Sequence, residues 1–327
     1  MFLRNTKRET EDMVQLKNKH KFINKISCLS SYIKKFFLSV FMLSFLDSCF
    51  HRYSDLQRRV KSAIVLFVFG LLTFIGGTIP VNCLFVVLGI IMLFEWDRMF
   101  NKNAIFMKIK VSIFFLVNVF VYFLSLVCVF FLNSYTLSFG VLILGFVVSM
   151  FVLIAHGKNN FVLEAIPSIY ISSAVISSLF LYNRYGLAVL LFLFVITIST
   201  DTCAYFTGSY FGGKKLIPSL SPNKTISGAI GGIIGSFIFS CLYLLILFIL
   251  GYSDTISNLH LFAVISVVLS VLSQCGDLFE SYCKRICEVK DSGTLIGGHG
   301  GLLDRFDSFI SIVPVYSMMV VLSLSLL

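Results

Sequence analysis

"ISGAIGGIIGSFIFSCLYLLILFIL", residues 226–250, runs twenty-five positions without one charged side chain. About 20 apolar residues let a helix cross the hydrocarbon core of a bilayer, so this stretch is long enough to span. Eight more apolar blocks lie at 62–79, 80–96, 110–132, 135–155, 161–182, 185–206, 260–275 and 308–327, the first two separated only by a Gly/Pro turn near Pro80. None alternates apolar and polar residues as a barrel strand must, which leaves helices as the spanning structure. The expected fold is an all-α polytopic integral membrane protein with about nine transmembrane helices. The run FFLSVFMLSFL at 36–46 is too short to span; preceded by Lys34 and Lys35, it reads as a helix lying in the interface.

Composition agrees, with 57% of the 327 residues hydrophobic and 13% charged. The net charge of +10 does not point to nucleic acid, because of where it sits. Residues 1–61 hold 13 Lys/Arg against 5 Asp/Glu. The segments 97–109, 156–160, 207–225 and 276–307, with Lys110 at the edge of the first, carry all but one of the other basic residues; only Arg184 falls on the opposite side. Basic residues on alternate loops put the N-terminus and those loops in the cytoplasm. Three regions follow: a basic cytoplasmic segment at 1–61, suited to anionic membrane lipids or to setting orientation; N-terminal transmembrane helices at 62–198; and a polar-rich transmembrane region at 199–327. No cleavable signal and no internal repeat is evident. Cys283 and Cys287 are the one close cysteine pair, with no second pair to complete a zinc site.

Acidic residues are scarce outside the N-terminus, yet six of them fall within 277–307: Asp277, Glu280, Glu288, Asp291, Asp304 and Asp307. In "GDLFESYCKR", 276–285, Asp277, Glu280, Ser281, Lys284 and Arg285 share one helical face, with Phe279, Tyr282 and Ile286 turned away to pack. Carboxylates hold hard cations, and lysine and arginine take phosphate oxygens. Next, glycines at 297, 298, 300 and 301 flank His299 and allow backbone N–H groups to approach an anion closely. Asp304 and Asp307 then share a face at the start of the last span, while Arg305 points elsewhere.

A third polar cluster lies at 199–228. Asp201 falls in or at the edge of the membrane, where an ionisable group is costly and marks a functional candidate. "SPNKT" places Ser221, Lys224 and Thr225 before a helix N-terminus, a suitable phosphate site. "GSYFGGKK", 208–215, imitates a phosphate-binding P-loop but lacks the Ser or Thr after its lysine and follows an apolar span rather than a strand.

These residues resemble the phosphatidate cytidylyltransferase (CDP-diacylglycerol synthase) family. The family's S-x-x-K-R, K-D and H-G-G-x-x-D-R-x-D elements match at Ser281, Lys284, Arg285, Lys290, Asp291, His299, Gly300, Gly301, Asp304, Arg305 and Asp307. Upstream, D-x-x-A-Y-x-x-G and S-P-x-K-T-x-x-G match at Asp201, Ala204, Tyr205, Gly208, Ser221, Pro222, Lys224, Thr225 and Gly228. The detailed resemblance covers about 199–307. Cys283, Gly297, Asn223 and Ser227 depart from the commonest residues at their positions.

The resemblance implies transfer of a cytidylyl group from CTP to phosphatidate, giving CDP-diacylglycerol and pyrophosphate, with Mg2+ as cofactor and room for a second cation. It implies Asp277 and Asp304 as metal carboxylates. Lys284, Arg285, Arg305 and His299 would act on phosphate at the reacting centre. Asp201, Tyr205, Ser221, Lys224, Thr225, Lys290, Asp291, Gly300 and Gly301 would bind substrate. It is compatible with a homodimer in a bacterial inner membrane. Two rivals are a CTP-dependent membrane lipid kinase and an ion-coupled transporter using Asp201 and Glu164. Transporters keep such groups near midplane, whereas these polar residues gather at one face.

Overall fold

A computed structural model describes residues 73, 76–100, 113–132, 134–155, 161–251, 259–293 and 300–325. The segment 1–61, the interfacial run at 36–46, most of the 62–79 block and His299 lie outside the described residues. The chain forms α1 (Thr78–Phe100), α2 (Ile113–Phe130), α3 (Tyr135–Ala155), α4 (Phe161–Ala165), α5 (Pro167–Tyr185) and α6 (Leu187–Phe211). A hairpin of β1 (Lys215–Ile217) and β2 (Ser221–Thr225) follows, then α7 (Ile226–Ile249), α8 (Leu259–Ile286) and α9 (Leu303–Ser325). Among the described residues, seven helices are long and apolar enough to cross a membrane, and α2 is a shorter apolar helix. This is a multi-pass membrane protein of the all-α class, with one short hairpin between its helices.

Several expected boundaries move. The turn near Pro80 sits earlier, at Gly76 and Gly77, and Pro80 lies in the first turn of α1, where its missing N–H has no helical partner to lose. The 161–182 block breaks at Ile166 into α4 and α5, because Pro167 starts a new helix. The 260–275 block extends to Ile286, so "GDLFESYCKR" is helical, and α9 begins at Leu303, taking Asp304, Arg305 and Asp307 into its first turns. The hairpin was not foreseen; it pairs Lys215 with Thr225 and Ile217 with Ser221.

Small residues let α6 and α7 approach closely. A Cβ on Gly228 would lie 2.8 Å from the Ala204 carbonyl oxygen, and one on Gly232 would lie 2.9 Å from that of Thr200. Without a hydrophobic drive between helices in lipid, such close backbone packing holds them together. Gly276 of α8 meets Ser311 of α9 in the same way. Two pairs of interior hydroxyls link helices across the bundle: Thr200 Oγ1 lies 2.8 Å from Ser270 Oγ, and Ser317 donates to Ser177 Oγ at 2.9 Å.

An aromatic layer lies beneath the polar end. Phe279 contacts Tyr170 and Trp96, with ring centroids 5.4 and 6.3 Å apart. Trp96 Nε1 donates to the Leu163 carbonyl at 3.0 Å, and the Tyr170 hydroxyl donates to the Asp307 carbonyl at 3.2 Å. Those contacts fix the end of α1 and the starts of α5 and α9 at one level. Tyr282, expected to pack, is instead 44% exposed.

Candidate active site

The polar side chains meet where α6 and α8 end and α7 and α9 begin. Gly212 and Gly213 take positive φ after α6 and turn the chain into the hairpin. β2 carries Lys224 back over the helix ends, where its ammonium pairs with Asp277 of α8. Asp201 of α6 interacts electrostatically with both Asp277 and Lys224. The motif segments 199–228 and 276–307, distant in sequence, therefore meet through their described residues.

Asp307 interacts with Asp277, Asp201 and Lys284, and Glu280 interacts with Asp307 and Asp304. Lys284 Nζ lies 2.8 Å from Asp304 Oδ1 and 3.1 Å from Glu280 Oε1. Five carboxylates thus form a chain held by two lysines. So many close carboxylates repel one another, and the excess negative charge suits an added cation.

Among the described residues, no three acidic, histidine or cysteine side chains form a ready-made metal cage. Magnesium does not demand one: it is commonly held by one or two carboxylates together with substrate phosphates and water. Hard carboxylate oxygens around Asp277 and Asp304 fit that chemistry. As folded, Asp304 Oδ1 meets Lys284, while its Oδ2 accepts from the backbone N–H groups of Ser292 at 2.9 Å and Gly301 at 2.8 Å.

The glycine-rich loop differs from expectation at its described end. Its amides at 301, 302 and 303 are not turned toward a substrate anion; they already hold the protein's own carboxylates. Asp304 takes Gly301, and Glu95 of α1 takes Leu302 N at 2.9 Å and Leu303 N at 2.8 Å. Gly300 has φ +83°, and a Cβ there would lie 2.7 Å from Asp304 Oδ2, so both conformation and space call for glycine.

Other expected site residues are spread more widely. The Thr225 hydroxyl accepts from Gly228 N at 3.1 Å and caps α7, so this buried side chain is engaged in helix formation. Ser221 starts β2 and is half-buried. Arg285 is exposed and turns from the acidic chain toward the hairpin, its Nε donating to the Leu220 carbonyl at 3.4 Å. Lys290, Asp291 and Arg305 are exposed around the rim, with Asp291 beside Gly300. Tyr205 is 72% exposed, its ring against Phe206.

Glu95 was missed, although a signal existed. It is an acidic residue inside an apolar block, the same criterion that singled out Asp201.

The Cytidylyltransferase family model matches residues 57–323. The chain belongs to this family. Among similar cytidylyltransferases, the phosphatidate cytidylyltransferase of Bacillus subtilis strain 168 is 31% identical over 269 residues, covering 80% of this chain and 96% of that protein. Phosphatidate cytidylyltransferases of Staphylococcus epidermidis RP62A and Staphylococcus aureus COL are each 35% identical, over 184 and 185 residues. Those matches cover 56% of this chain and 68% and 69% of the two relatives. The family match takes in α1, so the helix bearing Glu95 is part of the shared architecture rather than an appendage.

Proposed function

We propose that this chain is a phosphatidate cytidylyltransferase, joining CTP and phosphatidate into CDP-diacylglycerol with release of pyrophosphate. The observation that best supports the reading is the pairing of Lys224 with Asp277, which unites both motif segments at one end of the bundle.

A phosphatidate oxygen attacks the α-phosphorus of CTP, and the bond from that phosphorus to the bridging oxygen of the β-phosphate breaks. The nucleophile is already an anion, so the difficulty is bringing like charges together and stabilising the leaving pyrophosphate. Lys224 would hold nucleotide phosphate, exchanging its carboxylate partner for phosphate oxygens. Lys284 stands ready to do the same beside Asp304, and Arg305 and Arg285 bring positive charge to the rim. His299 and the glycines around it are assigned to the same substrate surface. Asp277 and Asp304 would hold magnesium, with Asp307 a further carboxylate for a second cation; bound metal would supply charge neutralisation at phosphate oxygens.

The site face would be cytoplasmic, with CTP arriving from solution and phosphatidate sideways from the inner leaflet of a bacterial cell membrane. Each chain carries every described motif residue, so a homodimer would hold two sites. A cysteine introduced at Asn223 in a cysteine-free background should escape impermeant reagents added outside intact cells; labelling there would reverse the orientation.

The decisive assay gives purified protein phosphatidate and CTP labelled in the cytidine. Labelled lipid with released pyrophosphate is expected. Unlabelled lipid with released CDP would mean phosphoryl transfer instead, and absence of any reaction would reject the reading.

A further inference from the structure

We infer that Glu95, on a helix far from both motif segments in sequence, is a positioning residue that sets the reactive loop through its backbone. This rests on the assignment of Asp304 to the active site.

Glu95 is 4% exposed, and its two oxygens accept from consecutive amides at the start of α9, Leu302 N and Leu303 N. Early amides of a helix lack helical partners and carry the positive end of its dipole, so a carboxylate there satisfies both needs. Ser292 extends the clamp: its hydroxyl lies 3.4 Å from Glu95 Oε2, and its N–H donates to Asp304. Four amides, at 292, 301, 302 and 303, are thereby divided between two carboxylates. Asp304 gathers the loop from above, and Glu95 ties the same loop to α1.

The loop is shaped for this contact. A Cβ on Gly293 would lie 2.7 Å from Glu95 Oε1, and one on Gly301 would lie 2.7 Å from Glu95 Oε2. Both glycines leave room for the carboxylate as well as for the bend. Trp96, the next residue, is 1% exposed and bonds to Leu163, which anchors this turn of α1 within the bundle. Glu95 is therefore a fixed post rather than a mobile arm. Its loss would leave Asp304 at the start of a helix whose leading loop is held at one side only.

Glu95→Gln tests the clamp, because an amide NH2 would then confront one of the two backbone N–H donors. Turnover should fall roughly tenfold or more, as expected when a reacting group is misplaced by a fraction of an ångström. KM for CTP and phosphatidate should stay within about twofold, since no substrate contact is removed. Hydrogen exchange should rise in peptides covering 292–303 and remain unchanged in α5 and α6. Wild-type turnover, or unchanged exchange at 292–303, would overturn the inference. So would exchange rising throughout the bundle, which would make Glu95 an ordinary stabilising contact. Glu95→Asp, which keeps the charge but falls short of the amides, should resemble the Gln variant; full activity there would also overturn it. Asp304→Asn, measured alongside, separates the two assignments. Activity retained in that variant overturns the site assignment itself, whereas activity lost there with Glu95→Gln at the wild-type rate overturns only the role of Glu95.

Discussion

Lys284 and Asp304, twenty residues apart, meet at 2.8 Å between α8 and α9, with Glu280 on the lysine's other side at 3.1 Å. Lys284 and Asp304 are largely buried and Glu280 almost wholly so, which places the lysine between two carboxyl groups with little access to water. Removing one partner of such a group costs more than the pair contributes, because the remaining charge is stranded. Lys284→Met should therefore destabilise the protein by about 3 kcal/mol or more in detergent. Adding Glu280→Gln to that variant should recover part of the loss. Strict additivity in the double-mutant cycle would mean that the two side chains do not interact.

Asp277→Asn and Asp304→Asn are each expected to abolish nearly all turnover while the protein still inserts and folds. Each keeps side-chain size and removes a charge. The double variant should be little worse than either single one, because residues acting as a unit do not contribute additively. Substantial activity in either single variant at ordinary magnesium would remove that residue from the proposed metal pair, and the neighbouring Asp307 would become the next candidate.

Lys224→Ala should raise KM for CTP more than KM for phosphatidate. Its ammonium is shared between Asp277 and whatever anion enters the site, and the loss removes a point charge from nucleotide binding. An effect confined to phosphatidate would place the hairpin on the lipid rather than the nucleotide.

Gly232→Val should lower folded yield and melting temperature, with a cost of about 1–3 kcal/mol typical of overpacking. The new side chain would meet the Thr200 carbonyl, a backbone atom that cannot move without displacing α6. Gly140→Val is the control, since a Cβ on that exposed glycine of α3 has nothing within 4 Å. Equal damage from both would show that the α6–α7 seam is not special.

The parts of this structure most legible in the sequence were those governed by local pattern. Uncharged runs marked the helices, and the spacing of Asp277, Glu280 and Lys284 placed them on one face of α8. Spacing could not say which partner each charge would choose. Asp277 takes Lys224 and Asp304 takes Lys284 because the hairpin and α9 bring them close, which is a matter of tertiary packing. The hairpin escaped notice because "KLIPSLSPNKT" has no alternating pattern, and it is closed at its base by a contact between its flanking residues, Ile226 N to the Lys214 carbonyl at 3.0 Å. The glycine loop was read for its freedom to bind an anion; nothing local indicated that Glu95, some two hundred residues earlier, would occupy its amides.

The site is stitched from helix ends rather than carved into a single rigid wall. The glycine seam joins α6 to α7, the Gly276–Ser311 contact joins α8 to α9, and the Thr200–Ser270 hydroxyls, with Gln274 Nε2 donating to the Ala229 carbonyl at 3.2 Å, tie the two pairs together. When a bilayer is thicker or thinner than its helices, they tilt to compensate, at fractions of a kcal/mol per ångström. Those cross-ties oppose a shift of one pair against the other as the helices tilt, so the spacing of Asp201, Lys224 and Asp277 is kept by the bundle rather than by any one helix.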